Sequence, residues 1–415
     1  MKNNTCKRCG EIYTIPKEHK GSFICPQCYT NEKYEECVHF FSSKRDLFPS
    51  PKDIKDSVEK IVMGQETALK QLSTELYKHI LRCSTVEIED VRPNIKKNNI
   101  LMCGPTASGK TFMVEELAKI LDIPFVSVDI TSITPEGYAG GNIEDIFKKL
   151  LIKTDNPYIA QRGIVFLDEI DKIVQKETPQ SPDIKGRLMQ EALLRTIEGT
   201  TIQIKIGNEI RLFDTSNILF VCAGAFVGIE DIVEKRLNGN KKIGFSFDES
   251  NNKEDKKDKD YYRSLVNEKD FLEFGFIPEF MGRISVKLTL NKLKLEDVKK
   301  ALLSKNGIIS EYVEIFKLEG RKLLFEEKAI DMLANIILSS DIGMRSMRSV
   351  MAALTNDILF DLIYSPSKKV KITCDLVKKH LSIKYPKELE SINTEKTILI
   401  NKSNLGTENV KEVRV

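Results

Sequence analysis

The chain has 415 residues, of which 41% are apolar and 30% charged, and 64 Lys and Arg stand against 61 Asp and Glu. This length predicts two or three domains with separate cores. The near balance of charge gives no strong field that would draw nucleic acid or an anionic membrane surface. No stretch approaches the roughly 18 apolar residues of a membrane span, and the N-terminus carries no targeting signal of the usual types. We therefore expect a cytoplasmic globular protein that binds neither nucleic acid nor membrane.

Nine cysteines fall into two groups. Four form two Cys-x-x-Cys pairs separated by fifteen residues, namely Cys6, Cys9, Cys25 and Cys28. This spacing is typical of a tetrahedral zinc site that replaces a hydrophobic core too small to form alone. A redox pair is the alternative, but redox motifs seldom come doubled. The other five cysteines are scattered, as in a reducing compartment, so disulfides are the weaker interpretation.

Composition shifts predict the domain organisation. Residues 1–41 form the zinc-binding module, and polar residues 42–52 a linker. From 53 to 285, strand-like and helix-like segments alternate, which indicates an α/β fold with a parallel sheet. The candidate buried strands are Ile100–Cys103, Phe125–Ile130, Ile164–Leu167 and Ile218–Ala223. Residues 286–385 are mostly helical, with a long helix from Met347 and a short strand at Val370–Thr373, and predict a smaller α+β domain; the polar tail 386–415 is expected to be disordered.

The strongest chemical signal follows the first of these strands. It is the G-x-x-x-x-G-K-T pattern Gly104-Pro105-Thr106-Ala107-Ser108-Gly109-Lys110-Thr111. An apolar strand precedes it and an amphipathic helix follows, which is the context of a working phosphate loop. Backbone N–H groups and the helix N-terminus would hold the phosphates of ATP, Lys110 would reach the β- and γ-phosphates, and the Thr111 hydroxyl would ligate Mg²⁺.

A second apolar strand ends in two adjacent carboxylates, Asp168 and Glu169. A buried parallel strand would bring Asp168 to the carboxyl edge of the sheet, where it can hold the Mg²⁺ shell. Glu169 can then accept a proton from the attacking water as general base. The alternative is a strand end with solvated acids, which the phosphate loop some 60 residues upstream makes less favourable.

Several motifs in order resemble the ClpX family of AAA+ unfoldases over roughly residues 3–383. Besides the cysteine module, the phosphate loop and the Asp168-Glu169 pair, they are Gly137-Tyr138-Ala139-Gly140, Ile243-Gly244-Phe245, the segment 276–283 ending in Arg283, and Gly343-Met344-Arg345. The resemblance implies an AAA+ P-loop domain (an αβα sandwich) followed by a smaller, mostly helical domain. It also implies a homo-hexamer that unfolds protein substrates with ATP and delivers them to a ClpP-type peptidase, without protease activity of its own.

Residue roles follow from the same resemblance. Tyr138 corresponds to the pore aromatic that grips polypeptide, and Ile243, Gly244 and Phe245 to the tripeptide that docks on ClpP. Arg283 matches the finger that reaches the neighbouring subunit's nucleotide, and Arg345 the arginine that senses nucleotide in its own subunit. Val62 lies in the segment resembling the adenine pocket. We expect the zinc module to contact protein substrates or adaptors, although the cysteines themselves do not indicate what it binds.

One segment departs from the family. Residues 200–210 are shorter than the family's pore-entrance loop and lack its Arg-Lys-His triplet, which puts recognition of the usual degradation tags in doubt. Two other functions stay open: a remodelling chaperone without a peptidase partner, and an AAA+ nucleic-acid remodeller that uses the module as a zinc ribbon. Neutral charge, the aromatic loop and the Ile-Gly-Phe tripeptide argue against the latter.

Overall fold

A computed structural model describes residues 2–15, 24–84, 95–133, 143–154, 156–174, 184–207, 209–238, 258–305, 307–340, 342–361 and 368–386. The chain forms two compact units. The first contains Met1–Ser57, Leu69–Cys103 and Val114–Thr289, and the second contains Val58–Ala68, Gly104–Met113 and Leu290–Val415. The phosphate loop therefore groups with the C-terminal helices, although the sequence had placed it in a large domain over 53–285. The predicted domain boundaries remain predictions.

The N-terminal residues form a short hairpin and a long helix. Strands β1 (Lys2–Thr5) and β2 (Ile12–Ile15) pair antiparallel, and α1 follows over Pro26–Leu47. Cys37 and Phe41 on α1 are fully buried, which stabilises the helix beyond what its polar sequence suggests. The segment 42–52, predicted as a linker, therefore includes the end of α1 and the first residues of helix α2 (Pro51–Val58).

A five-stranded parallel sheet organises the first unit, which confirms the predicted α/β fold. Its order is β4-β5-β8-β3-β9, with bounds β3 Asn99–Cys103, β4 Phe125–Asp129, β5 Ile164–Asp168, β8 Leu219–Gly224 and β9 Ile284–Thr289. The four predicted strands are present to within one residue at each end. The fifth, β9, lies at the edge, and only its Ile284 and Leu288 are buried; its sequence therefore offered no continuous apolar run.

Helices and one hairpin accompany these strands along the chain. The helices are α3 Glu66–Ser84, α4 Lys110–Ile120, α5 Ile143–Lys153, α6 Pro157–Ala160, α7 Ile184–Glu198, α8 Ile229–Asn238, α9 Lys259–Ser264, α10 Glu268–Phe274 and α11 Pro278–Met281. Strands β6 (Thr201–Ile206) and β7 (Glu209–Asp214) pair antiparallel. The core includes Phe147, whose ring packs against those of Phe213 and Phe220.

The C-terminal part of the second unit is helical with one short parallel strand pair. Its helices are α12 Leu295–Leu303, α13 Ile308–Leu318, α14 Glu327–Ser339, α15 Met347–Asp361 and α16 Cys374–Leu381, and its strands are β10 Lys322–Phe325 and β11 Lys369–Ile372. The predicted long helix and short strand are thus present. None of the helices in the described ranges combines the length and apolar character needed to cross a bilayer. The predicted tail from 387 onward lies outside the described residues.

Candidate nucleotide site and metal centre

The phosphate-loop residues Gly104–Thr111 connect β3 to α4 in a conformation suited to anions. Ala107 and Gly109 have φ values of 62° and 89°, and α4 begins at Lys110. When left-handed residues alternate with right-handed ones along a loop, successive backbone N–H groups point into one concavity. A helix N-terminus adds partial positive charge there. A left-handed backbone is uncommon for residues other than glycine, so Ala107 is strained. Such strain is often found at functional sites.

The side chains of this loop also fit a phosphate ligand. Lys110 is buried, and its ammonium donates to the carbonyl oxygens of Gly104 (2.8 Å) and Pro105 (3.0 Å), so it lies across the loop. The Ser108 hydroxyl is buried without a hydrogen-bond partner among the described residues. The partly exposed Thr111 stands at the second helical position. These groups are those that would hold a triphosphate and its Mg²⁺.

Two other segments of the second unit lie against the loop. A Cβ placed on Gly343 would come within 2.9 Å of the Ala107 Cβ, so the turn Gly343–Ser346 contacts the loop. Arg345 is an exposed residue of that turn. The Gln65 amide donates to the Ser108 carbonyl at 3.3 Å, and the buried Val62 precedes it in the same segment. The structure therefore brings the loop close to the segments that carry Arg345 and Val62.

The carboxylates at the end of β5 have an unusual local backbone. Asp168 is partly buried at the last strand position, while Glu169 is exposed with φ 56° and ψ 33°. The Glu169 N–H donates to the Asp168 carboxylate at 3.0 Å. A left-handed backbone at a glutamate costs of order 1–3 kcal/mol, which the surrounding structure must offset. The chain therefore changes direction at Glu169, directly after the strand ends. Because β3 and β5 are parallel members of one sheet, both end at its carboxyl edge.

Asp171 is a residue at this edge that the sequence interpretation missed. It is buried, and its carboxylate accepts from the Phe226 N–H at 3.2 Å. A Cβ on Gly224 would come within 2.5 Å of this carboxylate. Asp171 thus connects the turns that follow β5 and β8. The available signal was a third acid, two positions after Glu169, between the apolar residues Ile170 and Ile173.

Arg283 lies at the amino edge of the sheet, where the parallel strands begin, opposite the carboxyl edge where Asp168 lies. It directly precedes β9, and its carbonyl accepts from the side chain of Asn99, the first residue of β3. Its guanidinium is more than half exposed and donates to Glu198 at 2.6 Å. A five-residue strand separates the two edges by roughly 17 Å. Arg283 and Asp168 therefore do not meet within one chain.

The four paired cysteines converge, as their spacing predicted. Their sulfur atoms all lie within 4.8 Å of one another, and the Cys9 and Cys25 sulfurs are 3.8 Å apart. Two sulfurs bound at about 2.3 Å to one tetrahedral zinc ion are separated by about 3.8 Å. The Cys25 N–H donates to the Cys6 sulfur, and the Cys28 N–H donates to the Cys25 sulfur. The geometry fits a Cys₄ zinc site.

Electrostatics of the cluster favour a cation. Backbone N–H groups, first that of Cys25, lower the pKa of the Cys6 thiol to about 6, which favours the thiolate that binds metal. Hydrogen bonding with Cys25 and burial raise the pKa of the Cys28 thiol to about 12. A second thiolate is thus disfavoured without a cation, because two neighbouring negative sulfurs repel each other. A divalent ion would offset this repulsion.

Two predicted sites lie outside the described residues. These are Tyr138 in the predicted pore loop and the predicted docking tripeptide Ile243, Gly244 and Phe245. The described residues of segment 200–210, which lacks the Arg-Lys-His triplet, belong mainly to the β6–β7 hairpin, in which Ile206 is the register partner of Glu209. The departure from the family therefore coincides with a short hairpin.

Comparisons with known proteins agree with these features. The family model of the AAA domain (Cdc48 subfamily) matches residues 95–287. The ATP-dependent Clp protease ATP-binding subunit ClpX of Borrelia duttonii is 36% identical over 94% of this chain and 97% of its own length. The protein of the same name from Treponema denticola is 35% identical over 91% and 92%. A ClpX 2 subunit from Wolinella succinogenes is 35% identical over 89% and 93%.

Proposed function

Because the chain belongs to the ClpX family, it is an AAA+ ATPase whose hydrolysis of ATP is coupled to protein unfolding, and we propose that it threads polypeptides through a hexamer pore into a ClpP-type peptidase. The observation that carries this proposal is the phosphate loop with left-handed residues at 107 and 109, in a chain similar to ClpX subunits over nine-tenths of its length. The chain is the motor, and peptide-bond cleavage belongs to its partner.

Within one subunit, the proposed roles are divided among three groups. The N–H groups of residues 104–111 hold the phosphates, and Lys110 leaves its contacts with the Gly104 and Pro105 carbonyls to bind the β- and γ-phosphates. Thr111 and Asp168 hold the Mg²⁺, which neutralises charge on the phosphates. Glu169 accepts the proton of the attacking water. Val62 contributes to the adenine pocket.

Hydrolysis is completed by two arginines. The position of Arg283 at the sheet edge remote from Asp168 supports a role toward a neighbouring subunit, where the guanidinium exchanges Glu198 for the γ-phosphate. Such a finger makes hydrolysis depend on assembly of a homo-hexamer. Arg345 acts within its own subunit, and the contact between Gly343 and Ala107 supports its approach to the phosphates.

The roles proposed for polypeptide handling are supported by the sequence resemblance, because Tyr138 and residues 243–245 lie outside the described residues. Tyr138, flanked by glycines, grips the translocating chain in the pore, and Ile243, Gly244 and Phe245 dock on the peptidase. The zinc module presents a surface to substrates or adaptors. Because the Arg-Lys-His triplet is missing, we expect substrate selection to differ from that of most family members.

ATP-dependent association with the peptidase tests the proposal. The chain carrying Glu169→Gln is mixed with ClpP of the same organism in saturating ATP or ADP, and the complex is measured by analytical ultracentrifugation. The matched control exchanges exposed Glu191, on helix α7, for Gln. We expect ATP-dependent binding that disappears when residues 243–245 are deleted. Binding that survives the deletion places docking elsewhere, and no binding by any version supports a remodelling chaperone without a peptidase.

A further inference from the structure

Gln65 makes a compact set of contacts in the second unit. It is buried, with only 5% of its surface exposed. Its amide nitrogen donates to the Asn291 carbonyl at 2.8 Å, while its amide oxygen accepts from the Asn291 N–H at 3.1 Å. The side chain therefore pairs with both backbone groups of one residue. This two-point pairing also fixes which end of the amide is oxygen.

The same amide nitrogen reaches the phosphate loop. It donates to the Ser108 carbonyl at 3.3 Å, the longest of its three contacts. Ser108 stands directly before the Gly109-Lys110-Thr111 sequence and is itself 2% exposed. A small movement of the Ser108 carbonyl would break or tighten this bond while leaving the pairing with Asn291 intact. One amide thus joins the loop to Asn291, which lies 226 positions after Gln65 in sequence.

Close backbone approaches surround this link. Gly64 has φ +73°, and a Cβ there would come within 2.5 Å of the Asp297 carboxylate. That carboxylate accepts from the Lys294 N–H at the start of α12. On the loop side, a Cβ on Gly104 would come within 2.7 Å of the Leu290 Cβ. The segment 64–65 therefore contacts Asn291 and Asp297, and the loop contacts Leu290 through Gly104.

We propose that Gln65 is a positioning residue that transmits the nucleotide state of the phosphate loop, through Ser108, to Asn291 and helix α12. Its role is to fix the distance between the loop and the first residues of the C-terminal helical region, through its contacts with Ser108 and Asn291. Occupancy of the loop sets the position of the Ser108 carbonyl, and the amide carries that change to residues 291–297. The proposal rests on the proposed function, because it requires the loop to bind ATP.

Hydrogen exchange in the non-hydrolysing Glu169→Gln background tests it. Protection of the backbone amides over 290–297 is compared in saturating ATP and ADP, with and without Gln65→Leu. We expect a nucleotide-dependent difference in the parent that Gln65→Leu abolishes, although methylanthraniloyl-ATP binds within about threefold of the parent. The control Asn335→Leu removes a side-chain amide that donates to the Asp331 carbonyl within its own helix, and should retain the difference.

Steady-state kinetics with Glu169 intact provides a second readout. Gln65→Leu removes all three hydrogen bonds of the amide, and loss of the link to Ser108 should lower kcat about tenfold with little change in KM. Gln65→Glu keeps the acceptor for the Asn291 N–H but places a carboxylate oxygen against the Ser108 and Asn291 carbonyls, so it should lower kcat at least as far as Gln65→Leu. If Gln65→Leu retains both the exchange difference and kcat while ATP binds, the proposal is wrong. If the parent does not bind methylanthraniloyl-ATP, the proposed function itself fails.

Discussion

Gly343 lies so close to Ala107 that a methyl group on Gly343 would stand 2.9 Å from the Ala107 side chain, and its φ is +50°. Two strained or crowded positions thus meet where the phosphate loop contacts the turn that carries Arg345. We expect Gly343→Ala to displace that turn and reduce ATP turnover about tenfold, equivalent to about 1.4 kcal/mol. Steady-state ATPase assays check this.

Gly320 provides the matched control for this change. It also has a positive φ, +69°, but a Cβ there would meet nothing within 4 Å. Gly320→Ala therefore introduces similar backbone strain without the contact, and should lower stability slightly while sparing turnover. Equal ATPase rates in the two variants would mean that the contact between Gly343 and Ala107 has no part in the reaction.

Phe41 on α1 is fully buried and packs edge-on to His79 of α3, with ring centroids 6.1 Å apart. Asn156 strengthens the same attachment by donating to the Lys33 carbonyl at 2.7 Å. Phe41→Ala should lower the free energy of unfolding of the first unit by about 3–5 kcal/mol, because α1 is part of its core. Thermal unfolding followed by circular dichroism measures the change.

The control Leu47→Ala, on an exposed residue of the same helix, should change the free energy of unfolding little. An unchanged melting temperature for Phe41→Ala would show that α1 is not part of the core of the first unit.

Buried His79 predicts acid sensitivity. Its Nε2 lies 2.8 Å from the Arg162 carbonyl and its Nδ1 3.0 Å from the Arg82 guanidinium, an arrangement that suits the neutral ring with its proton on Nε2. Burial, and then the Arg82 charge, lower the pKa of His79 to about 3; Arg162, Lys97 and the Cys83 thiol also face the ring.

The sign of the effect follows from proton uptake. Below its ordinary pKa of about 6.5 the unfolded histidine takes up a proton that the folded one does not. Stability is therefore complete above pH 6.5 and falls toward pH 3, by up to about 1.4 kcal/mol per pH unit. Urea unfolding from pH 7.5 to 4.5 should show a shallower pH dependence for His79→Gln than for the parent, whereas exposed His39→Gln should match the parent. Parallel curves for all three proteins would remove His79 from this account.

Glu169→Gln should lower ATP hydrolysis by about 10²–10⁴-fold, because the amide cannot accept the proton of the attacking water. Binding of methylanthraniloyl-ATP should change little, since the residues proposed to hold phosphate and Mg²⁺ remain. The exposed Glu191→Gln variant controls for the loss of one surface charge. Turnover within a few-fold of the parent would take the general-base role from Glu169.

The sequence predicted those features whose signal is local. The phosphate loop, the strand ending at Asp168 and the paired cysteines are contiguous patterns with a direct physical meaning, and the structure contains the predicted strands and the cysteine cluster. Contacts between distant residues could not be predicted in this way. Gln65 meets Asn291 across 226 positions, and nothing beside either residue indicates the other. Likewise, the polar sequence of α1 gave no sign that Phe41 would be buried, since tertiary contacts decide that.

The central claim, ATP-driven delivery of polypeptide to a peptidase, is tested most directly by degradation of a fluorescein-labelled, permanently unfolded protein. The chain is mixed with ClpP of the same organism and this substrate, which avoids dependence on a particular degradation tag. We predict release of labelled peptides with ATP, none with ADP, and none when Glu169→Gln replaces the parent. Rapid ATP hydrolysis without any peptide release would contradict delivery to ClpP.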